Sequence, residues 1–420
     1  MFALAFLVAV DTVVALALVA NGAIEFVRSA RRPPEAHPLP PHEDPRGVTK
    51  FNDKRLDAVR GRGDESADQL IAAIAGAPAA EQNAGAGDPQ IERVEAFYQR
   101  LLDARVLDLA DHDGTAYRAD LAEWVNAIKP PPASFRTRFE GAGAFFGKNF
   151  VKIIVILSTS ALLEAFACAN GARVLAGSEY LSKKTNRRLY ETLQFVMYVN
   201  EPDCFKSDRA FNAILRVRLM HACIRWLLPR RVPNWKAPEW GVPVNQEDLL
   251  GMQMGFSGVV LRDLPKLGVD ISAQEASDHI FLWNVVGQLL GAPMELRAND
   301  LGESLALIDV VKRRQQRVSD AGAKMTDALL EFHRKKTGRA FPASVLLMRG
   351  LAGDHVCDML GVPWSPLAGA RIAWSALERV INVWGLRLVC GGPNPEVGQP
   401  KYDVPDSLKP QCPLGSPGHE

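Results

Sequence analysis

The stretch "FVKIIVILSTSALLEAFACA", which starts at Phe150, sets the strongest condition on the fold. Lys152 and Glu164 interrupt it and leave about a dozen mostly apolar positions, against the roughly 20 that a helix needs to cross a hydrocarbon core. A segment this apolar and this short has to be covered by protein, so Val151–Leu163 reads as the buried helix of a large core. Glu164 is notable at its end, because a carboxylate is rarely buried without a partner.

The rest of the chain supplies that cover in helical form. Ile91, Val94, Phe97, Leu101 and Leu102 make one apolar stripe, which predicts a helix over Ile91–Leu102. The same pattern predicts helices over Lys184–Val199, Asp208–Leu228, Glu247–Leu264, Ala273–Leu290 and Asn299–Lys335, with shorter ones at 342–360 and 366–390. Asn245 reads as the N-cap of the helix at Glu247, whose first turn also carries Asp248, where the helix dipole favours anions. No strand alternation and no internal repeat stands out, and the expected fold is all-α. A chain of 420 residues, 47% hydrophobic, has the material for one large domain or two.

The two ends differ from this body. "MFALAFLVAVDTVVALALVA" is apolar except for Asp11 and Thr12, and Arg28, Arg31 and Arg32 follow it. Its length matches a membrane span, and the arginine bias predicts a cytoplasmic body. Asp11 also allows a helix that lies in the membrane interface. No basic segment precedes the apolar run, so it fits a cleaved signal poorly. "RRPPEAHPLPPHEDP" is a semi-extended spacer, and the Pro/Gly-rich end reads as a flexible tail. The expected organisation is an anchor helix over 1–27, a spacer over 28–62, a helical domain over 63–395 and a tail over 396–420.

Several chemistries are excluded. With 49 basic and 48 acidic side chains there is no cationic excess to neutralise phosphates, so nucleic acid is not an expected partner. Six scattered cysteines without a CxxC give no support to a structural zinc or a covalently attached haem, and they read as reduced thiols. HExxH, GxSxG and Walker A motifs are absent, and "GAGAFFG" at Gly141 lacks the preceding strand that a dinucleotide loop needs.

Of eight histidines, only His221 lies well inside a strongly apolar helix, in "RVRLMHACIRWLL". Arg218 and Arg225, three residues before and four after, share its helical face. Two readings stay open: a half-buried histidine beside a ridge of surface arginines, or a ligand to a metal or haem whose anionic groups the arginines hold. In "NRRLYETLQFV", Arg188 and Thr192 likewise share a face, with Glu191 beside them. Two such helices can face each other across a flat cofactor. Haem iron takes a proximal histidine, and donors on its other side decide how oxygen is handled.

At these residues the sequence resembles the family of rubber oxygenases and mycophenolic-acid-pathway oxygenases, which includes the bacterial latex clearing proteins and a fungal endoplasmic-reticulum oxygenase. The likeness is carried by "RLYET", "RVRLMHACIR", "GVPVNQEDLLG" and "LWNVVGQLLG", in order and spacing, within about residues 135–365. It implies a haem b protein with a globin-like helical core, using O₂ to cleave a C=C bond of a lipophilic, isoprenoid-like substrate. It further implies His221 as the axial iron ligand, Arg188 and Thr192 as the pair on the distal helix, Arg218 and Arg225 as propionate anchors or orienting groups, and Glu164 as a candidate base. Latex clearing proteins carry an iron-capping lysine before that threonine. Glu191 stands there in this chain, which implies a water or an open sixth position instead. Two alternatives remain: a haem sensor, carrier or lipid-binding helical protein without turnover, and a bare helical scaffold in which His221 only fills the core.

Overall fold

The computed structural model describes residues 50–77, 88–112, 114–178, 185–232, 235–338 and 341–364. The anchor read at 1–27, the spacer as far as 49, the helix read at 366–390 and the tail lie outside the described residues. Helix starts are set by short polar side chains. Asn52, Asp64, Asp88, Ser207, Asn245, Ser272, Asp300 and Ser319 each accept a backbone N–H from the helix that follows. Ser272 and Glu275 complete a reciprocal capping box.

The described residues hold eighteen α-helices and no strand, apart from one isolated bridge between Cys168 and Gln316. The first five are α1 (Asp53–Arg60), α2 (Glu65–Ala75), α3 (Pro89–Asp103), α4 (Val106–His112) and α5 (Arg118–Ala127). The core helix α6 (Arg136–Ile156) runs through a π-helical turn, Leu157–Ala161, into α7 (Leu162–Ala167). Next come α8 (Ala169–Gly177), α9 (Thr185–Val199), α10 (Asp208–Arg231) and α11 (Ala237–Trp240). The remainder are α12 (Gln246–Phe256), α13 (Gly258–Asp263), α14 (Ala273–Leu289), α15 (Leu301–Gln315), α16 (Asp320–Thr337), α17 (Phe341–Ala352) and α18 (Asp354–Met359).

The all-α expectation holds for these residues, and three boundaries are corrected. The helix read as Asn299–Lys335 is two helices, α15 and α16. Gln316 pairs with Cys168, the Arg317 N–H donates to Ala167 O at 3.0 Å, and Ser319 starts the next helix. The helix read as Glu247–Leu264 breaks at Ser257, whose hydroxyl donates back to Gln253 O at 2.9 Å. The body also begins before residue 63, because Phe51, Leu56 and Val59 are buried in the main apolar cluster and α1 packs on α12.

The Ala133–Ala167 stretch is long and apolar enough to cross a membrane, yet 61% of its most apolar window is buried inside the body. Its role as a core helix follows from what surrounds it, with α14 along one side and α17 against the π turn. Three apolar clusters result. The largest is built on α6, α12 and α14, a second on α2, α3 and α10, and a third on α7, α16 and α17. The four described cysteines are unpaired thiols, and Cys223 is fully buried in the second cluster.

Candidate functional site

Where the three clusters meet they leave a cavity of about 740 Å³, well inside the roughly 300–1,000 Å³ range of cofactor and small-molecule sites. Helix α10 supplies one wall. Arg216, Val217, Met220, His221 and Ile224 line the cavity, at the i, i+4 and i, i+7 intervals that put side chains on one face. The opposite flank of α10, with Leu215, Leu219, Ala222, Cys223 and Leu227, is buried against α2 and α3. Leu157, Phe195, Met254, Trp283 and Val286 add to a wall that is mostly apolar. Thr192 and Met252 line it too and are exposed, so the cavity reaches solvent between α9 and α12.

One end of the cavity is polar. Glu164 is buried at the start of α7, where the π turn of α6 delivers it. Its carboxylate accepts from Arg262 at 2.8 Å and Lys312 at 3.1 Å, and Arg262 also pairs with the fully buried Asp263 at 2.8 Å. Glu247, with no exposed surface, accepts from Arg60 at 3.0 Å, Arg314 at 2.8 Å and Gln315 at 3.0 Å. Beside it, burial pushes the Asp248 carboxyl up to about 6; Arg60 opposes the shift and Glu247 adds to it. Asn245 caps α12 as expected, accepting the Asp248 N–H at 3.0 Å, and its amide donates to the Asp248 carboxylate at 2.9 Å.

The structure brings His221, Thr192, Glu191 and Glu164 to one cavity, and Arg188 lies on α9 one turn before Thr192. Arg218 and Arg225 do not line it, so the expectation that they anchor a cofactor's anionic groups is corrected. Arg218 makes a two-pronged bond to Asp64, at 2.5 and 2.9 Å, and its guanidinium lies over Trp124. Burial alone would raise the Asp64 carboxyl, but the Arg218 bonds prevail and hold it below the usual carboxylate range. Arg225 is buried, donates to Asp68 at 2.7 Å and to Val244 O at 3.2 Å. Both arginines therefore clamp α10 to the first turn of α2. That clamp orients the helix carrying His221 without touching the cavity.

The quoted blocks acquire physical roles. Gly287 of "LWNVVGQLLG" lies so close to Gln253 that an added Cβ would sit 2.2 Å from its Oε1. "GVPVNQEDLLG" makes a turn with Gly241 at φ 81° and Val244 at φ 50°, and then delivers Glu247 and Asp248 to the polar end.

Residue-by-residue reading missed two buried histidines and one arginine. His279 and His333 are bonded through Nε2 to Phe256 O (3.1 Å) and Ser158 O (3.0 Å). His333 shares a helical stripe with Thr326, Leu329, Leu330 and Thr337, a periodicity masked by its neighbours Arg334, Lys335 and Lys336. Arg216 was passed over because Arg218 and Arg225 share the histidine's face more closely.

Burial pushes both histidines down to about 4, with the carbonyl bonds opposing. In the unfolded chain they titrate near 6.5. Between about pH 6.5 and 4 the unfolded chain binds more protons, so stability falls as pH falls through that window and is unaffected by these groups above it. The expected loss reaches up to about 3 kcal/mol for each histidine at the acid end. Urea unfolding at pH 7, 6 and 5 measures it, and His333→Gln flattens the slope if the assignment holds.

The chain is similar to known proteins in sequence and in fold. The sequence profile of the family described as "ER-bound oxygenase mpaB/B'/Rubber oxygenase, catalytic domain" matches residues 151–383. A rubber oxygenase from Streptomyces sp. (strain K30) is 25% identical over 169 residues, which is 38% of this chain and only 40% of that protein's length. The solved structure of latex clearing protein LCP in the closed state superposes with a TM-score of 0.61, covering 85% of this chain and 91% of that one. At 18% identity the likeness is one of fold.

Proposed function

The chain belongs to the family of ER-bound and rubber oxygenase catalytic domains, and from that premise we propose that it is a haem b-dependent oxygenase that uses O₂ to cleave a C=C bond of a lipophilic, isoprenoid-like substrate. The observation that carries the reading is His221 on the wall of a large, mostly apolar cavity that reaches solvent. The residues present fit the group: one imidazole for axial ligation, a slot of sufficient volume and apolar walls. The helical core is then globin-like in the sense that a proximal histidine projects from a helix into the cofactor slot.

Haem, when bound, would supply the oxygen chemistry. The protein's own residues do the rest. His221 holds the cofactor, with α10 fixed by the Arg218–Asp64 and Arg225–Asp68 pairs. Thr192 and Glu191 bring polar groups of α9 to the same space, and Arg188 stands one turn before Thr192 on that helix. Leu157, Met254, Phe195 and Trp283 exclude water and offer a surface for a hydrocarbon chain, which enters past Thr192 and Met252. If Glu164 accepts a substrate proton, it does so by giving up a bond to Arg262 or Lys312. An anchor over 1–27 would keep the protein at a membrane, where such substrates dissolve, with the body on the cytoplasmic side.

The absorption spectrum of the purified full-length chain tests the reading. A Soret band is expected, either as isolated or after hemin reconstitution, and its absence from both preparations overturns the proposal. Oxygen consumption with carbonyl products from isoprenoid lipids separates an oxygenase from a haem carrier.

A further inference from the structure

Resting on the haem reading above, we propose that Arg216 is the carboxylate-holding residue of the cavity and that it pairs with a porphyrin propionate. Among the described residues, two cationic side chains line the cavity, Arg216 and Lys312. Lys312 is committed to Glu164 at 3.1 Å. Every cation at the polar end is likewise taken: Arg262 by Glu164 and Asp263, and Arg60 and Arg314 by Glu247. Arg218 and Arg225 are held by Asp64 and Asp68. Arg216 differs: its Nε is buried without a hydrogen-bond partner, as one nitrogen of Arg225 also is, but no described carboxylate pairs with Arg216. A guanidinium N–H enclosed without an acceptor is costly, and a ligand acceptor relieves that cost.

Position favours the same assignment. Arg216 precedes His221 by five residues, about 7.5 Å along the axis of α10. A group it holds therefore lies beside the imidazole rather than over it, as the rim of a flat ring centred on His221 would. Guanidinium matches a carboxylate with two parallel bonds, whereas it has no complementary partner in a hydrocarbon substrate. The carboxylate has two possible sources: the porphyrin itself, or the acid head of a lipophile sharing the cavity.

Hemin and hemin dimethyl ester, titrated into the full-length protein and followed at the Soret band, separate these sources. Arg216→Met is expected to weaken hemin by about ten- to a hundredfold and to leave the ester, which lacks the carboxylates, within about twofold. Arg216→Lys restores part of the hemin affinity, and thermal melts of the apoproteins control for folding. Equal weakening of both porphyrins, or of neither, overturns the proposal. A parallel titration of the haem-loaded protein with a long-chain fatty acid and its methyl ester completes the set. If Arg216→Met selectively weakens the acid while hemin is unchanged, the carboxylate belongs to the substrate and the porphyrin assignment falls. If the wild-type chain takes up neither porphyrin, the haem reading itself has failed before any variant is compared.

Discussion

His221→Ala is expected to abolish haem retention while leaving the fold standing. The imidazole is half-buried on a cavity wall and is not one of the buried core side chains, so its removal costs about 1 kcal/mol of stability at most. Alanine is also the better helix former, which offsets part of that loss. The effect on the cofactor is of another order, because among the described residues no second histidine lines the cavity. Soret absorbance after hemin titration and desalting reads the first quantity, and thermal unfolding of the apoprotein reads the second. A variant that keeps a full Soret band would mean that iron is held elsewhere. One that loses the band and also melts far below wild type would return His221 to the status of a core residue.

The largest loss of stability is expected at Glu247. Its side chain has no exposed surface and accepts from Arg60, Arg314 and Gln315, which join α1, α12 and α15. Alanine there leaves two guanidinium groups, about 11–12% exposed, facing an uncompensated void. Removing one partner of a buried ion cluster costs about 3–5 kcal/mol. Asp53 and Asp57 still engage Arg314, and Asp248 still engages Arg60, so the lower part of that range is expected. Glu247→Gln keeps the shape and one acceptor, and should lose roughly half as much. Urea unfolding of the apoprotein gives the comparison. An alanine variant within about 1 kcal/mol of wild type would show that the cluster is not what holds α1 to the body.

How much of this was legible in the sequence depends on how local each signal is. The Asn245 cap, the stripe of α3 and the burial of the Val151–Leu163 segment are decided within a few residues, and they agree with the structure. The meeting of His221, Thr192 and Glu164 was legible through the resemblance and not through spacing, because they come from α10, α9 and α7. Helical phase alone could not say which arginine enters the cavity. Asp64 and Asp68 draw Arg218 and Arg225 away from it, yet they lie more than 150 residues earlier in the chain. "RGRGDESADQ" does contain the signal, as two aspartates one turn apart at a helix start, but nothing local names their partners. The break at Ser319 was missed because its cap sits in a run of polar residues that an exposed helix could equally carry.

The π turn at Leu157–Ala161 acts as a phase adjuster. One additional residue in a helical turn advances everything downstream by about 100° around the axis. Ser158 O in this widened turn is met by His333 from α16, so the irregularity has a partner of its own. Were the turn regular, Glu164 would point to a different compass bearing, away from Arg262 and Lys312. The acid's address in the cavity is thus written in backbone register as much as in side-chain identity, and a single deletion of Leu157 or Ala161 would scramble it without removing any group that bonds the site's charges.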